Sequence, residues 1–158
     1  MKKVLLVLSG ILLFAGAHAH ADEATEQGVI KTIMENNAYT KKNLKGVGNT
    51  VAKEGSLEFW SSGGLLNEVK ADAAPQEFDA FGINVKHITV ITLVPGQVAV
   101  AQYYSDGSMD PRTSAAVSNY RVRVTQVFVK EGGKWKVRAA HWSPIAGGAG
   151  TSQTGSID

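Results

Sequence analysis

The 158-residue sequence contains no cysteine. Disulfide staples, thiol nucleophiles, thiolate metal sites and a lipid-anchored N-terminal cysteine are therefore excluded. Prolines number only four, and long hydrophobic runs are missing except for one, residues 4–17, interrupted by Ser9, Gly10 and Gly16. That run is shorter than the roughly 20 apolar residues a membrane-spanning helix needs. Basic Met1-Lys2-Lys3 precedes it. Ala15-Gly16-Ala17, Ala17-His18-Ala19 and Ala19-His20-Ala21 follow, each fitting the small-x-small pattern read by signal peptidase. The segment reads as a cleavable export signal. Cleavage after Ala21 is favoured because acidic Asp22-Glu23 comes next; Ala17 and Ala19 are the alternatives. The expected location is periplasmic or secreted, with no membrane attachment after cleavage.

A surplus of charge is also missing. The formal +2 comes entirely from Lys2 and Lys3, and beyond Ala21 the chain carries 14 basic and 14 acidic side chains. The basic footprint of a nucleic-acid binder is absent. No Gly-rich phosphate loop or Gly-x-Ser-x-Gly elbow occurs. The histidines lack metal-ligand spacing, so neither an internal metal site nor a cofactor is expected. Cleavage after Ala17 would leave His18-Ala19-His20 at the mature terminus, the one route to a Cu(II) site.

What is present suffices for one core. Val29, Ile30, Ile33, Met34 and Ala38 recur at helical spacing, so residues 22–54 read as two helices or one kinked helix ending at Gly55. Residues 56–61 alternate as a strand, and Gly63-Gly64 turns the chain into a second at 65–69. Pro75 predicts a short helix burying Phe78 and Phe81. Strands follow at 85–94 and 97–105, joined by Pro95-Gly96, then a polar loop over 106–119. A hairpin of 120–130 and 134–142 turns at Glu131-Gly132-Gly133. The Gly/Ser/Thr-rich stretch 146–158 reads as a disordered tail. Helices first and an antiparallel meander last give an α+β fold, with a curved sheet wrapped around N-terminal helices and a domain spanning 22–145.

The last hairpin also carries a resemblance. Arg123/Thr125 on one strand, Gly133/Trp135 at the turn and His141/Ser143 at the close resemble the nuclear-transport-factor-2-like superfamily, in particular its SnoaL-like members. A similar ending occurs in the association domain of calmodulin-dependent kinases. The resemblance implies a cone-shaped domain with an internal pocket, often dimeric through the outer face of its sheet. It says little about activity, because such a fold hosts many.

Strict alternation puts Trp135, Val137, Ala139, His141 and Ser143 on one face, and Arg123, Thr125, Val127 and Val129 together on the neighbouring strand. Periodicity alone does not choose inside from outside. By analogy with the family, Arg123, Thr125, His141 and Ser143 face the interior as a polar pocket floor. Tyr103, Trp60 and Tyr39 are then candidate walls. A guanidinium suits a carboxylate, and a histidine titrates near neutrality.

Three functions follow from this arrangement. One is an exported module binding a small apolar or anionic molecule, as a homodimer. Another is an isomerase, dehydratase or cyclase with His141 as general base. The third is an oligomerisation module. Asp106-Gly107 reads as a turn, and Glu58 has no recognisable catalytic neighbours. The export reading predicts that N-terminal sequencing of the secreted protein begins at Asp22; an N-terminus at Met1 overturns it.

Overall fold

The computed structural model describes residues 2–151, with side chains from Asp22 onward. The side chains of the expected export signal, including His18 and His20, lie outside the described residues, as do residues 152–158.

One helix, α1 (Lys2–Asn43), precedes seven strands: β1 (Ser56–Phe59), β2 (Asn67–Val69), β3 (Phe78–Phe81), β4 (Asn84–Val94), β5 (Val98–Pro111), β6 (Val117–Glu131) and β7 (Lys134–Pro144). They form one mixed sheet in the order β2-β1-β7-β6-β5-β3, with β4 also paired to β5. Among the described strands, only β1 and β7 pair in parallel. The sheet is curved and unclosed, and the architecture is α+β as expected.

A single helix ending at Asn43 takes the place of the two helices or one kinked helix expected to reach Gly55. Lys41 and Lys42 suit its C-terminal dipole, and Leu44 at φ 51° takes the backbone out of the helix. Beyond it, Lys45 bridges Glu77 and Val51 bridges Val137, so the segment extends the sheet instead of continuing as helix. The buried stripe of α1 is Thr25, Val29, Ile33 and Thr40. Ile30 is half-buried, while Met34 and Ala38, expected on that stripe, are exposed. Two contacts align the helix along β4: the Gly96 amide donates to Thr25 Oγ1 at 2.7 Å, and Asn37 Nδ2 donates to the Ile83 carbonyl at 3.2 Å. Gly28 lets the helix approach Trp135; a Cβ there would lie 2.7 Å from the indole Nε1.

The helix predicted after Pro75 is instead strand β3. Phe78 and Phe81 still pack together, 4.7 Å between ring centroids with the rings tilted at 57°. A register shift between Phe78 and Ala80 allows this, because an irregularity in a strand can mimic helical spacing. The polar loop expected over 106–119 is mostly strand as well. Its Asp, Gly, Ser and Pro content reads as turn, yet Met109, Pro111 and Val117 are buried there. Asp106-Gly107 lies within β5, opposite Arg121 and Tyr120. Of the Gly/Ser/Thr-rich stretch, residues 146–151 are described. The Arg121 amide donates to the Ala149 carbonyl at 3.1 Å, and the Thr151 amide donates to Ser61 Oγ at 3.1 Å.

The hairpin joining β6 to β7 turns on Gly132 and Gly133, with φ of 56° and 78°. Positive φ at both central residues matches the twist of the flanking strands. Against the helix-covered face lie Ala99, Ala101, Val122, Val124, Phe128, Trp135, Val137 and Ala140, which build the core with Val29 and Ile33.

Gly107 closes the contact between β5 and the β3–β4 connection. It sits at φ 140°, and an added Cβ would lie 2.2 Å from the Gly82 carbonyl oxygen. Gly107→Ala is expected to destabilise the domain by about 2 kcal/mol or more, through strain and collision. Urea denaturation of the two proteins measures the difference.

Candidate functional site

Every strand of the central sheet presents one face to the helix and core and the other to solvent. On β6, Val122, Val124, Gln126 and Phe128 are buried and Arg123 is exposed. Arg123 and Thr125 therefore point to the open face. On β7 the alternation breaks. Val127 pairs with Ala139, but Phe128 pairs with Val137, so Arg138 is an extra residue. A bulge of this kind reverses the parity of the strand beyond it. Trp135 and Val137 point to the core, whereas Ala139, His141 and Ser143 point to the open face.

The expected pocket floor is therefore assembled, but on the other side of the sheet. Arg123 pairs across with Ser143, and Thr125 with His141. Arg123 Nε donates to Ser143 Oγ at 2.9 Å. The ring of His141 meets Phe59 edge-on, 5.7 Å between centroids, and His141 makes no side-chain hydrogen bond among the described residues. Of the expected walls, only Tyr103 is among the residues around the groove beside this floor. Tyr103 is buried on the core face. Tyr39 is exposed on α1, and Trp60 is partly exposed beyond β1, its Nε1 donating to Glu58 Oε2 at 2.9 Å.

The open face is graded along its length. At the end near the β4–β5 and β6–β7 turns it is apolar, with Leu57, Ile91 and Leu93 exposed at 43%, 50% and 57% and Val100, Val127 and Ala139 between them. Next comes the row Phe59, His141, Thr125, Gln102 and Thr89, then Ser143, Arg123 and Tyr104. A groove of about 310 Å³ runs between His87, Thr89, Gln102, Tyr104, Arg123 and Thr125. Further along, a shallower cleft of about 440 Å³ includes Lys86, Asp106, Asn119 and Arg121. The Lys86 ammonium lies 2.5 Å from Asp106 Oδ2, and its hydrogen bond holds that carboxyl below the usual range.

His87 is in the left-handed backbone region, φ 53°, where β4 shifts register between Lys86 and Thr89. A non-glycine residue there stores about 1 kcal/mol or more. The irregularity turns the imidazole edge-on to Tyr104, 6.2 Å between ring centroids.

The core face carries polar groups of its own. Tyr103 Oη donates to Gln126 Oε1 at 2.7 Å, both side chains being buried. Glu58, also buried, lies close enough to influence Tyr103. Burial drives the Tyr103 hydroxyl far above the ordinary tyrosine value, with Tyr120 and Glu58 adding to the effect. Burial raises Tyr120 too. Sequence reading set Glu58 aside and missed Gln126 and Tyr120. The alternation of β6 groups Gln126 with Val124 and Phe128, and that grouping was the available signal.

No group of three or more His, Asp or Glu side chains placed to share a metal ion occurs among the described residues.

The chain has the nuclear-transport-factor-2-like fold. An NTF2-like protein of unknown function from Pseudomonas putida aligns with 77% of this chain and 87% of its own at 19% identity, TM-score 0.51. The association domain of C. elegans CaMKII aligns with 77% of this chain and 97% of its own at 13% identity, TM-score 0.48. An NTF2-like protein of unknown function from Prochlorococcus aligns with 68% and 77% at 15% identity, TM-score 0.43. No family model matches the chain and no curated protein matches it in sequence.

Tyr103 and Gln126 yield a prediction for stability. Tyr103→Phe leaves a buried amide oxygen without its donor and is expected to cost about 1–3 kcal/mol. Because the folded-state hydroxyl titrates above its unfolded value, its stabilising effect is complete below about pH 10. It is lost as pH rises further, because the unfolded chain releases a proton that the folded chain keeps. Urea titrations across pH 9–12 are expected to show this fall, with a shallower slope in Tyr103→Phe; equal slopes overturn the assignment.

Proposed function

We propose that the chain is an exported assembly module that pairs with a second copy of itself through the open face of its sheet. The observation that carries this reading is the exposed apolar end of that face, where Leu57, Ile91 and Leu93 flank Val100, Val127 and Ala139. Strands β4 to β7 are 11 to 15 residues long. At about 4.8 Å between strands and about 3.3 Å per residue they present roughly 800 Å² before β1 is added. One partner in a standard stable interface contributes about 800 Å². Removing such a surface from water favours association. Lys136 of β7 shares this face at the apolar end, but it is buried and its ammonium is held on its own chain by Asn49 Oδ1.

Two other functions have less behind them. A small-molecule pocket inside the cone would lack the floor expected for it, since Arg123, Thr125, His141 and Ser143 point away from the core. A His141 general base would need a carboxylate or tyrosine hydroxyl as a partner, and Phe59 and Thr125 are its neighbours instead. Export, to the periplasm or outside the cell, rests on the signal-like segment 1–21 alone.

Sedimentation equilibrium of the mature chain at micromolar concentration is expected to give twice the monomer mass. Leu57→Asp, which sets a charge in the apolar row at an exposed position, is expected to give the monomer mass with an unchanged circular dichroism spectrum. A monomeric wild-type protein overturns the proposal.

A further inference from the structure

Beyond the apolar row, the polar part of the open face carries, among the described residues, an unpaired guanidinium. Arg112 is paired with Asp79 and Glu77, and Arg138 lies 3.9 Å from Glu54. Arg121 lies beside Asp106, opposite it in the ladder. Arg123 has no acidic partner among the described residues. Its one side-chain hydrogen bond runs from Nε to Ser143 Oγ, which fixes the plane of the guanidinium and leaves both terminal nitrogens unengaged. Arg123 lines the groove of about 310 Å³, whose lining contains no carboxylate. The volume is at the small end of the range for small-molecule sites.

The rest of the lining suits an organic anion better than a bare inorganic one. Tyr104 is exposed beside Arg123, its cross-strand partner, and offers an aromatic face and a hydroxyl. His87 stands edge-on to that ring. Gln102 and Thr125 supply further donors, joined by a long contact of 3.5 Å that a ligand can replace.

We infer that this groove binds a small carboxylate-bearing molecule, with the two terminal nitrogens of Arg123 gripping the carboxylate and Tyr104 packing on its apolar body. A planar guanidinium fork matches a carboxylate in two parallel hydrogen bonds, which an ammonium does not reproduce. The groove begins one row beyond the apolar row on the same face, and Leu57→Asp separates the inference from the assembly proposal.

Benzoate is the probe, with benzamide as the isosteric neutral control. Titrations followed by amide chemical shifts are made on wild type, Arg123→Gln and Leu57→Asp. Benzoate is expected to shift Gln102, Tyr104 and Arg123 in wild type or, where a second copy closes the groove, in Leu57→Asp. Benzamide is expected to leave them unmoved. Arg123→Gln, an exposed and fold-neutral change, is expected to weaken benzoate at least tenfold while the sedimentation mass stays that of wild type. Arg123→Lys is expected to retain only part of the wild-type affinity. Equal benzoate binding in Arg123→Gln, equal binding of benzamide, or no binding at millimolar benzoate in either wild type or Leu57→Asp overturns the inference.

Discussion

Between Val137 and Ala140, strand β7 carries two residues, Arg138 and Ala139, where continued alternation would have one. Much of the organisation of the sheet depends on that single insertion. Below it, Trp135 and Val137 face the helix, and Trp135 fills the space left by Gly28. Above it, Ala140 faces the core while Ala139, His141 and Ser143 face solvent. Without the extra residue, the strand could bury one of its two ends, and the other would present polar groups to the core. The bulge lets a strand of 11 residues serve both the core and an exposed, chemically varied surface.

The long antiparallel ladder of β5 and β6 makes that surface rigid. It runs from Val98 opposite Val129 to Met109 opposite Val117, and on one side its own Phe128, Val124 and Val122 are buried in the core with Val29 and Ile33. Side chains on the open side inherit their spacing from it. Gln102 meets Thr125, and Tyr104 meets Arg123, at positions set by backbone hydrogen bonds. Groups held by a ladder keep their geometry in the absence of a ligand or partner, so less ordering entropy is lost on binding. On the core side the same rigidity turns inward. Tyr103 and Gln126 satisfy each other, and a hydrogen bond between two buried neutral groups supports packing without requiring charge.

The fold was legible in broad outline from the residues. Turn signals at Pro95-Gly96 and Gly132-Gly133 marked two hairpins, and the β-branched runs between them marked their strands. Where the reading failed, local composition favoured something the tertiary structure overrode. Residues 44–55 have helical hydrophobic spacing, but backbone pairing with Val137 draws them to the sheet edge. Phe78 and Phe81 have helical spacing, but an irregular strand places them together. The stretch after Ser105 is rich in turn formers, yet Met109, Pro111 and Val117 are buried, and burial outweighs propensity.

By itself the sequence determined the fold class, the absence of covalent cross-links, the balanced charge beyond Ala21, and which side chains of β6 share a face. The family resemblance of the last hairpin also brought Arg123, Thr125, His141 and Ser143 into one group. Only the tertiary structure decided which way that group points. Facing direction depends on which side of the sheet the helix covers and on the parity shift at Arg138, and both come from contacts between segments far apart in the chain. For the same reason, the site moved from the inside of the cone to its open surface, where Arg123 stands without an acidic partner beside a groove.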